Sequence, residues 1–246
     1  VRRSWRSRTP QAPVSGEANG IEVRGLSKAL RGRAILTDVD LTVPRGTVAV
    51  IEGANGAGKT TFVRMLATVV SPDSGKARVN GYDVLDQSFD VRRSIGVSFA
   101  NERSLYWRIN GFENLELFGR IAGLPKRTIA ERSASLLEDL HLADVSRGRV
   151  ARMSTGQRQR LMVARALLTS PAVILLDEPF RGLDDEGVQA MTGLVSRLAS
   201  DGLTALIVAP LIDAVLPIAD ATYRIEAGGI RLTRLERRPD PLLEQP

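Results

Sequence analysis

The chain has 246 residues, 43% hydrophobic and 25% charged, a composition that suits one α/β core with room for a small subdomain. It contains no cysteine, which excludes disulfides and cysteine metal sites. The formal charge of +6 does not select nucleic acid as a partner, because the four arginines Arg2, Arg3, Arg6 and Arg8 against the single acid Glu17 place +3 of it in residues 1–20.

Residues 1–20 read as a basic, Pro/Ser-containing tail without fixed structure, and the lack of an apolar run behind the arginines argues against a secretory signal. Strands are expected at 21–26 and 39–43, on either side of a turn at Arg31-Gly32-Arg33. The uncharged, β-branched run 47–51 predicts a buried strand, and apolar residues at Phe62, Met65, Leu66 and Val69 predict a helix over 61–69. Pro72-Asp73-Ser74-Gly75 marks a turn before strands at 76–80 and 95–99. From 110 to 168 the spacing becomes helical, so a helical block of about 100–168 interrupts the α/β pattern. Strands at 173–176, 204–208 and 222–225 and a helix at 184–199 complete a domain over 21–230. The apolar stretch 203–219 holds Asp213, Pro210 and Pro217, which suits a buried strand followed by a helix better than a membrane span. Residues 231–246 read as a frayed C-terminal tail.

Between the strand at 47–51 and the helix after it lies Gly53-Ala54-Asn55-Gly56-Ala57-Gly58-Lys59-Thr60-Thr61, a complete phosphate-binding loop. Its glycines let the backbone N–H groups and the helix N-terminus point at an anion. Lys59 is placed to reach the β- and γ-phosphates of a nucleoside triphosphate, and Thr60 to ligate magnesium.

A second motif, Ile174-Leu175-Leu176-Asp177-Glu178-Pro179, puts two carboxylates at the C-terminal edge of a buried strand, where open α/β sheets bind ligands. Asp177 is the candidate second Mg2+ ligand and Glu178 the candidate base for the attacking water. Ser154 and Gln157 form a capping-box pattern that opens a helix, and Ser154-Thr155-Gly156-Gln157 also offers a phosphate-facing N-terminus. With the helical block in between, that N-terminus is expected to serve a second molecule's nucleotide.

From about residue 21 to 230 these residues resemble the ATP-binding subunits of ABC transporters, by the order of phosphate loop, Ser154–Gln157 signature, Asp177-Glu178 pair and Gly182-Leu183-Asp184. The segment Arg103–Arg108 with Glu113-Asn114-Leu115 is similar to the branch serving drug, antibiotic or polysaccharide exporters. The resemblance implies a P-loop NTPase fold, a mixed β core with an inserted helical subdomain. It also implies ATP and Mg2+ as cofactors, and a head-to-tail pair of ATPase domains, as homodimer or heterodimer. Ser154, Gly156 and Gln157 would then touch the partner's ATP, and Asp184 would lie in a loop crossing the interface. A separate membrane-spanning permease would be the driven partner, with this chain peripheral on the cytoplasmic face of the membrane.

Departures from the family pattern are as informative. Leu30 stands at about the position of the adenine-stacking aromatic, and Thr155 replaces a glycine. Ala100-Asn101-Glu102 replaces the glutamine after strand 95–99, with both Asn101 and Glu102 open as substitutes. Ala209-Pro210 stands where a threonine–histidine pair is expected, and nothing local replaces that histidine. Because all of these changes but the milder one at Thr155 fall on the chain's own nucleotide side, slow intrinsic turnover is expected, in a heterodimer or in a homodimer with slow sites. The lone His141 belongs to the helical block as a surface or satisfied residue, and Tyr106 and Trp107 are expected to be exposed. A soluble ATP-dependent switch or scaffold, or a regulatory nucleotide-binding module, is the alternative.

Overall fold

In the computed structural model, residues 19–99 and 104–235 are described. In chain order they form β1 (Asn19–Leu30), β2 (Arg33–Pro44), β3 (Val48–Glu52), α1 (Lys59–Leu66), β4 (Ser74–Val79), β5 (Tyr82–Asp83), α2 (Ser88–Ser94) and β6 (Ile95–Ser98). The helices α3 (Gly111–Ile121), α4 (Lys126–Asp139) and α5 (Thr155–Leu167) follow. Then come β7 (Val173–Asp177), α6 (Asp185–Ser200), β8 (Thr204–Ala209), β9 (Ala221–Glu226) and β10 (Gly229–Leu235).

Two sheets result. One is antiparallel, in the order β2-β1-β4-β5; the other runs β10-β9-β3-β8-β7-β6, parallel apart from the antiparallel edge strand β10. The parallel strands are apolar on both faces, as strands covered on both sides must be. In β7, Ile174 and Leu176 enter one core with α5 and α6, while Val173 and Leu175 enter the other with α1 and the antiparallel sheet. β3 divides in the same way, Val50 to the first core and Ile51 to the second. The period of two along each strand therefore builds two apolar layers around one sheet.

Several sequence expectations need correction. The first hairpin is far longer than 21–26 and 39–43, because both strands carry irregular register shifts that break the alternation. Gly25 at φ 58 and Asp38 at φ 50 are the left-handed residues of this irregular stretch. Helix α1 starts at Lys59 and stops at Leu66; Thr68 turns left-handed at φ 60 and Val69 is 61% exposed, so Val69 does not continue the buried stripe. The stretch 203–219 gives β8 but no α-helix, only a one-turn 3-10 helix at Leu216–Ile218. Pro210 and Pro217 lack the N–H groups that a longer helix would use. β10 pairs with β9 through Leu235, so ordered strand continues past residue 230. The expectations for residues 1–18, 100–103 and 236–246 lie outside the described residues.

Candidate functional site

The site lies where the parallel strands end. β3 runs into the glycine loop, β7 ends on Asp177, β8 ends on Ala209, and the order β3-β8-β7 makes the three strand ends neighbours. Gly58 caps α1 in a left-handed conformation, φ 105, and a Cβ there would sit 3.1 Å from Ile35 Cγ2 and 3.2 Å from Ile35 O. Both its conformation and its surroundings call for glycine. Gly53 is equally confined: a Cβ would lie 2.3 Å from Ile225 Cγ2.

Lys59, 5% exposed, arches back over the loop, its Nζ donating to Gly53 O at 2.6 Å and to Ala54 O at 3.0 Å. Burial lowers its pKa, and the nearby Glu178 and Asp177 carboxylates oppose that shift. Thr60 Oγ1 donates to Asp177 Oδ2 at 2.9 Å, joining two residues 117 positions apart. Asp177 is 1% exposed, and among the described residues its other oxygen, Oδ1, has no hydrogen-bond partner. Burial raises the Asp177 pKa and Glu178 adds to the rise, while Thr60, Arg64 and Lys59 pull it down. A buried carboxylate oxygen without a donor, beside a threonine hydroxyl, fits a hard divalent cation. Thr60 and Asp177 are the residues that could hold it.

Glu178 has a left-handed backbone, φ 50, unusual for a glutamate. Its N–H donates to Val208 O at 2.8 Å, and its carbonyl accepts from Gln159 Nε2 at 3.4 Å and from Arg181 N at 3.4 Å. These contacts fix the turn that follows β7 and so the direction of the Glu178 side chain.

A cavity of about 890 Å³ takes in Asn55, Gly56, Gly58, Lys59, Thr60, Thr61 and Glu178. That volume suits a nucleotide-sized ligand. Gly53, Ala57 and Asp177 support the cavity without lining it. The rest of the lining comes from Phe180, Arg181, Val188, Ala209, Pro210, Leu211, Asp213 and Ala214. Ile35 lines it from β2, whereas Leu30, 43% exposed, does not. Sequence reasoning missed Ile35, Val188, Leu211 and Asp213, which share no local pattern. Phe180 and Arg181 were within its reach, directly behind the Asp177-Glu178 pair.

Ser154, Gly156 and Gln157 are absent from this cavity. They open α5 with a complete capping box, Ser154 Oγ accepting from Gln157 N at 3.1 Å and Gln157 Oε1 from Ser154 N at 2.9 Å. Asp184 caps α6, its Oδ1 accepting from Gly187 N at 2.9 Å. His141 is also remote from the cavity, with Nδ1 2.7 Å from Glu186 Oε1 in an exposed pair.

On the helical block, Tyr106 and Trp107 are 55% and 44% exposed. The fully buried Asn114 fixes this segment: Oδ1 accepts from Tyr106 N at 2.8 Å, and Nδ2 donates to Tyr106 O at 3.0 Å and Asn110 O at 2.9 Å. Arg165 from α5 donates to Ser104 O at 2.5 Å and lies 4.7 Å above the Phe118 ring. Among the described residues no helix is long and apolar enough to cross a membrane.

A glycine loop that opens a helix, a hydroxyl hydrogen-bonded to a strand-terminal carboxylate and a second carboxylate in the same cavity define a P-loop nucleotide-binding domain. Residues 36–181 match the ABC transporter family, and the chain belongs to it. It is 39% identical over 210 residues to the daunorubicin resistance ATP-binding protein DrrA3 of Streptomyces coeruleorubidus, covering 85% of this chain and 66% of that protein. It is 37% identical over 193 residues to the ABC transporter ATP-binding protein NatA of Bacillus subtilis, covering 78% of each. The chain thus spans just under two thirds of the length of the first of these relatives. Among solved structures, cbiO1 of Clostridium perfringens, part of the ABC transporter complex cbiONQ, superposes with a TM-score of 0.77 at 25% identity over 87% of each chain. A dimeric bacterial ABC transporter cassette shares the fold, TM-score 0.79 at 24% identity over 89% of this chain and 100% of that one.

Proposed function

We propose that this chain binds ATP with Mg2+, hydrolyses it slowly, and uses the cycle to drive a separate membrane-spanning permease, in the direction of export. The bond between Thr60 Oγ1 and Asp177 Oδ2, beside the unpartnered Asp177 Oδ1, is the observation that carries the nucleotide chemistry. The relatives named for daunorubicin resistance support an exporter.

Loop N–H groups and Lys59 hold the β- and γ-phosphates, exchanging the Gly53 and Ala54 carbonyls for phosphate oxygens. Thr60 and Asp177 would hold magnesium, which would supply positive charge to offset that of the phosphates. Glu178 orients a water and takes its proton as the water oxygen bonds to the γ-phosphorus. The β–γ bridging P–O bond breaks, and its electron pair leaves with ADP. Pro210 offers no side-chain or backbone donor to the transferring group, which supports slow turnover.

The capped N-terminus of α5 stays outside the chain's own cavity, which supports its use on a second ATPase domain's nucleotide. Pro210 alters this chain's own site while Ser154, Gly156 and Gln157 remain, which favours a heterodimer. The exposed Tyr106 and Trp107 are the candidate permease contacts, since aromatics are enriched at such surfaces.

Affinity capture of the chain from detergent-solubilised native membranes, with mass spectrometry of the partners, tests the reading. A multi-spanning membrane protein in the eluate is expected, together with a second ATPase subunit. Recovery of neither, under conditions that preserve known transporter complexes, refutes the transport role and leaves a soluble ATP-dependent switch.

A further inference from the structure

The cavity around the phosphate loop is lined by few charges. Glu178 and Asp213 bring two carboxylates to it, and Ala209, Pro210 and Leu211 bring no polar side chain. The described residues lining the cavity include two cations, Lys59 and Arg181. Lys59 belongs to the loop; Arg181 is the cation that the turn beginning at Glu178 brings to the same cavity. Arg181 is exposed, and among the described residues its guanidinium makes no hydrogen bond or ion pair. Its backbone is fixed all the same: Arg181 N donates to Glu178 O at 3.4 Å, closing a turn that carries both side chains, and Gly182 at φ 72 follows.

We propose that Arg181 contacts the γ-phosphate and stabilises the charge that develops on it, an arginine supplied in cis to the wall where Pro210 supplies no donor. This rests on the ATPase reading above. A triphosphate brings several negative charges to a cavity that already carries two carboxylates, so a cation there helps to balance the transferring group. The planar, permanently charged guanidinium can span two phosphate oxygens, which an ammonium cannot do as well. Because Arg181 and Glu178 share one turn, the group that orients the water and the group that steadies the phosphoryl oxygens stay in register.

The test compares wild type, Arg181→Gln (neutral, similar length) and Arg181→Lys. Equilibrium binding of ADP and of a non-hydrolysable ATP analogue is measured first, then the kcat and KM of ATP hydrolysis. ADP lacks the γ-phosphate and reports whether the loop is intact. In Arg181→Gln, ADP affinity is expected to stay within about twofold while preference for the triphosphate falls about tenfold or more. Its kcat is expected to fall on the order of a hundredfold, and Arg181→Lys to recover part of both. A Gln variant with the wild-type preference and kcat overturns the proposal, as does a Lys variant that behaves as the Gln variant does. Wild-type protein that binds neither nucleotide would instead remove the ATPase reading, and this assignment with it.

Discussion

Gly156 and Gly182 meet backbone to backbone: a Cβ on Gly156 would lie 2.5 Å from the Gly182 carbonyl oxygen. The first turn of α5 is thereby pressed onto the turn that carries Glu178 and Arg181. Gly156→Ala has no flexible neighbour to displace, and should cost about 1–3 kcal/mol of stability, measured by urea unfolding. Gly193 in α6 is the control. It is exposed with nothing within 4 Å, so Gly193→Ala should add about 0.4–1 kcal/mol. Equal effects at the two positions would mean that the contact is not a constraint.

Asp177→Asn should stabilise the nucleotide-free protein while abolishing turnover. Burial is the largest influence on Asp177 and raises its pKa, so the folded state holds that proton more tightly than the unfolded chain does. Stability therefore falls as pH rises from the ordinary carboxylate range through the raised value, and at neutral pH the ionised side chain is a net cost. Removing the charge should raise Tm at pH 7 by about 2–4 °C, with the gain shrinking as the pH is lowered towards 4. A lower Tm for Asp177→Asn at pH 7 would show that the Thr60 bond outweighs burial.

Pro210→His should raise kcat for ATP by roughly tenfold or more, because it adds one donor to the cavity wall beside Glu178. Steady-state hydrolysis at saturating ATP decides it. No change in rate would remove Pro210 as the cause of slow turnover.

Asn114→Ala leaves the Tyr106 amide and carbonyl without their side-chain partner. A loss of about 1–3 kcal/mol is expected, with faster hydrogen exchange at residues 105–108. If exchange there is unchanged, Tyr106 and Trp107 are held by other contacts, such as the stacking of Arg158 over Trp107 at 5.2 Å.

The centre of the site was legible because each of its parts is a local pattern: an aliphatic run, a glycine turn, or a run that ends in two acids. Strands β3 and β7 were found on that basis, with boundaries shifted by one residue at most. The far wall was not legible. Ile35, Val188 and Asp213 come from β2, α6 and the loop after β8, and only the three-dimensional fold brings them to one cavity. The long first hairpin was missed where it is most exposed and most irregular, because burial alternation is the only signal a half-buried strand emits. The helix expected after β8 failed for the opposite reason: its apolar content was real, but two prolines had removed the donors.

The pairing of Thr60 with Asp177 also sets a schedule. β8 lies between β3, which leads into the Thr60 helix, and β7, which ends on Asp177, and it is made later than either strand. A growing chain can carry a complete glycine loop through the synthesis of its next hundred residues and still lack a cation site. Contacts this remote in sequence close late and slowly. Nucleotide capture during biosynthesis would therefore report that β3, β8 and β7 have come together, and a chain that ends before β8 should not sequester ATP.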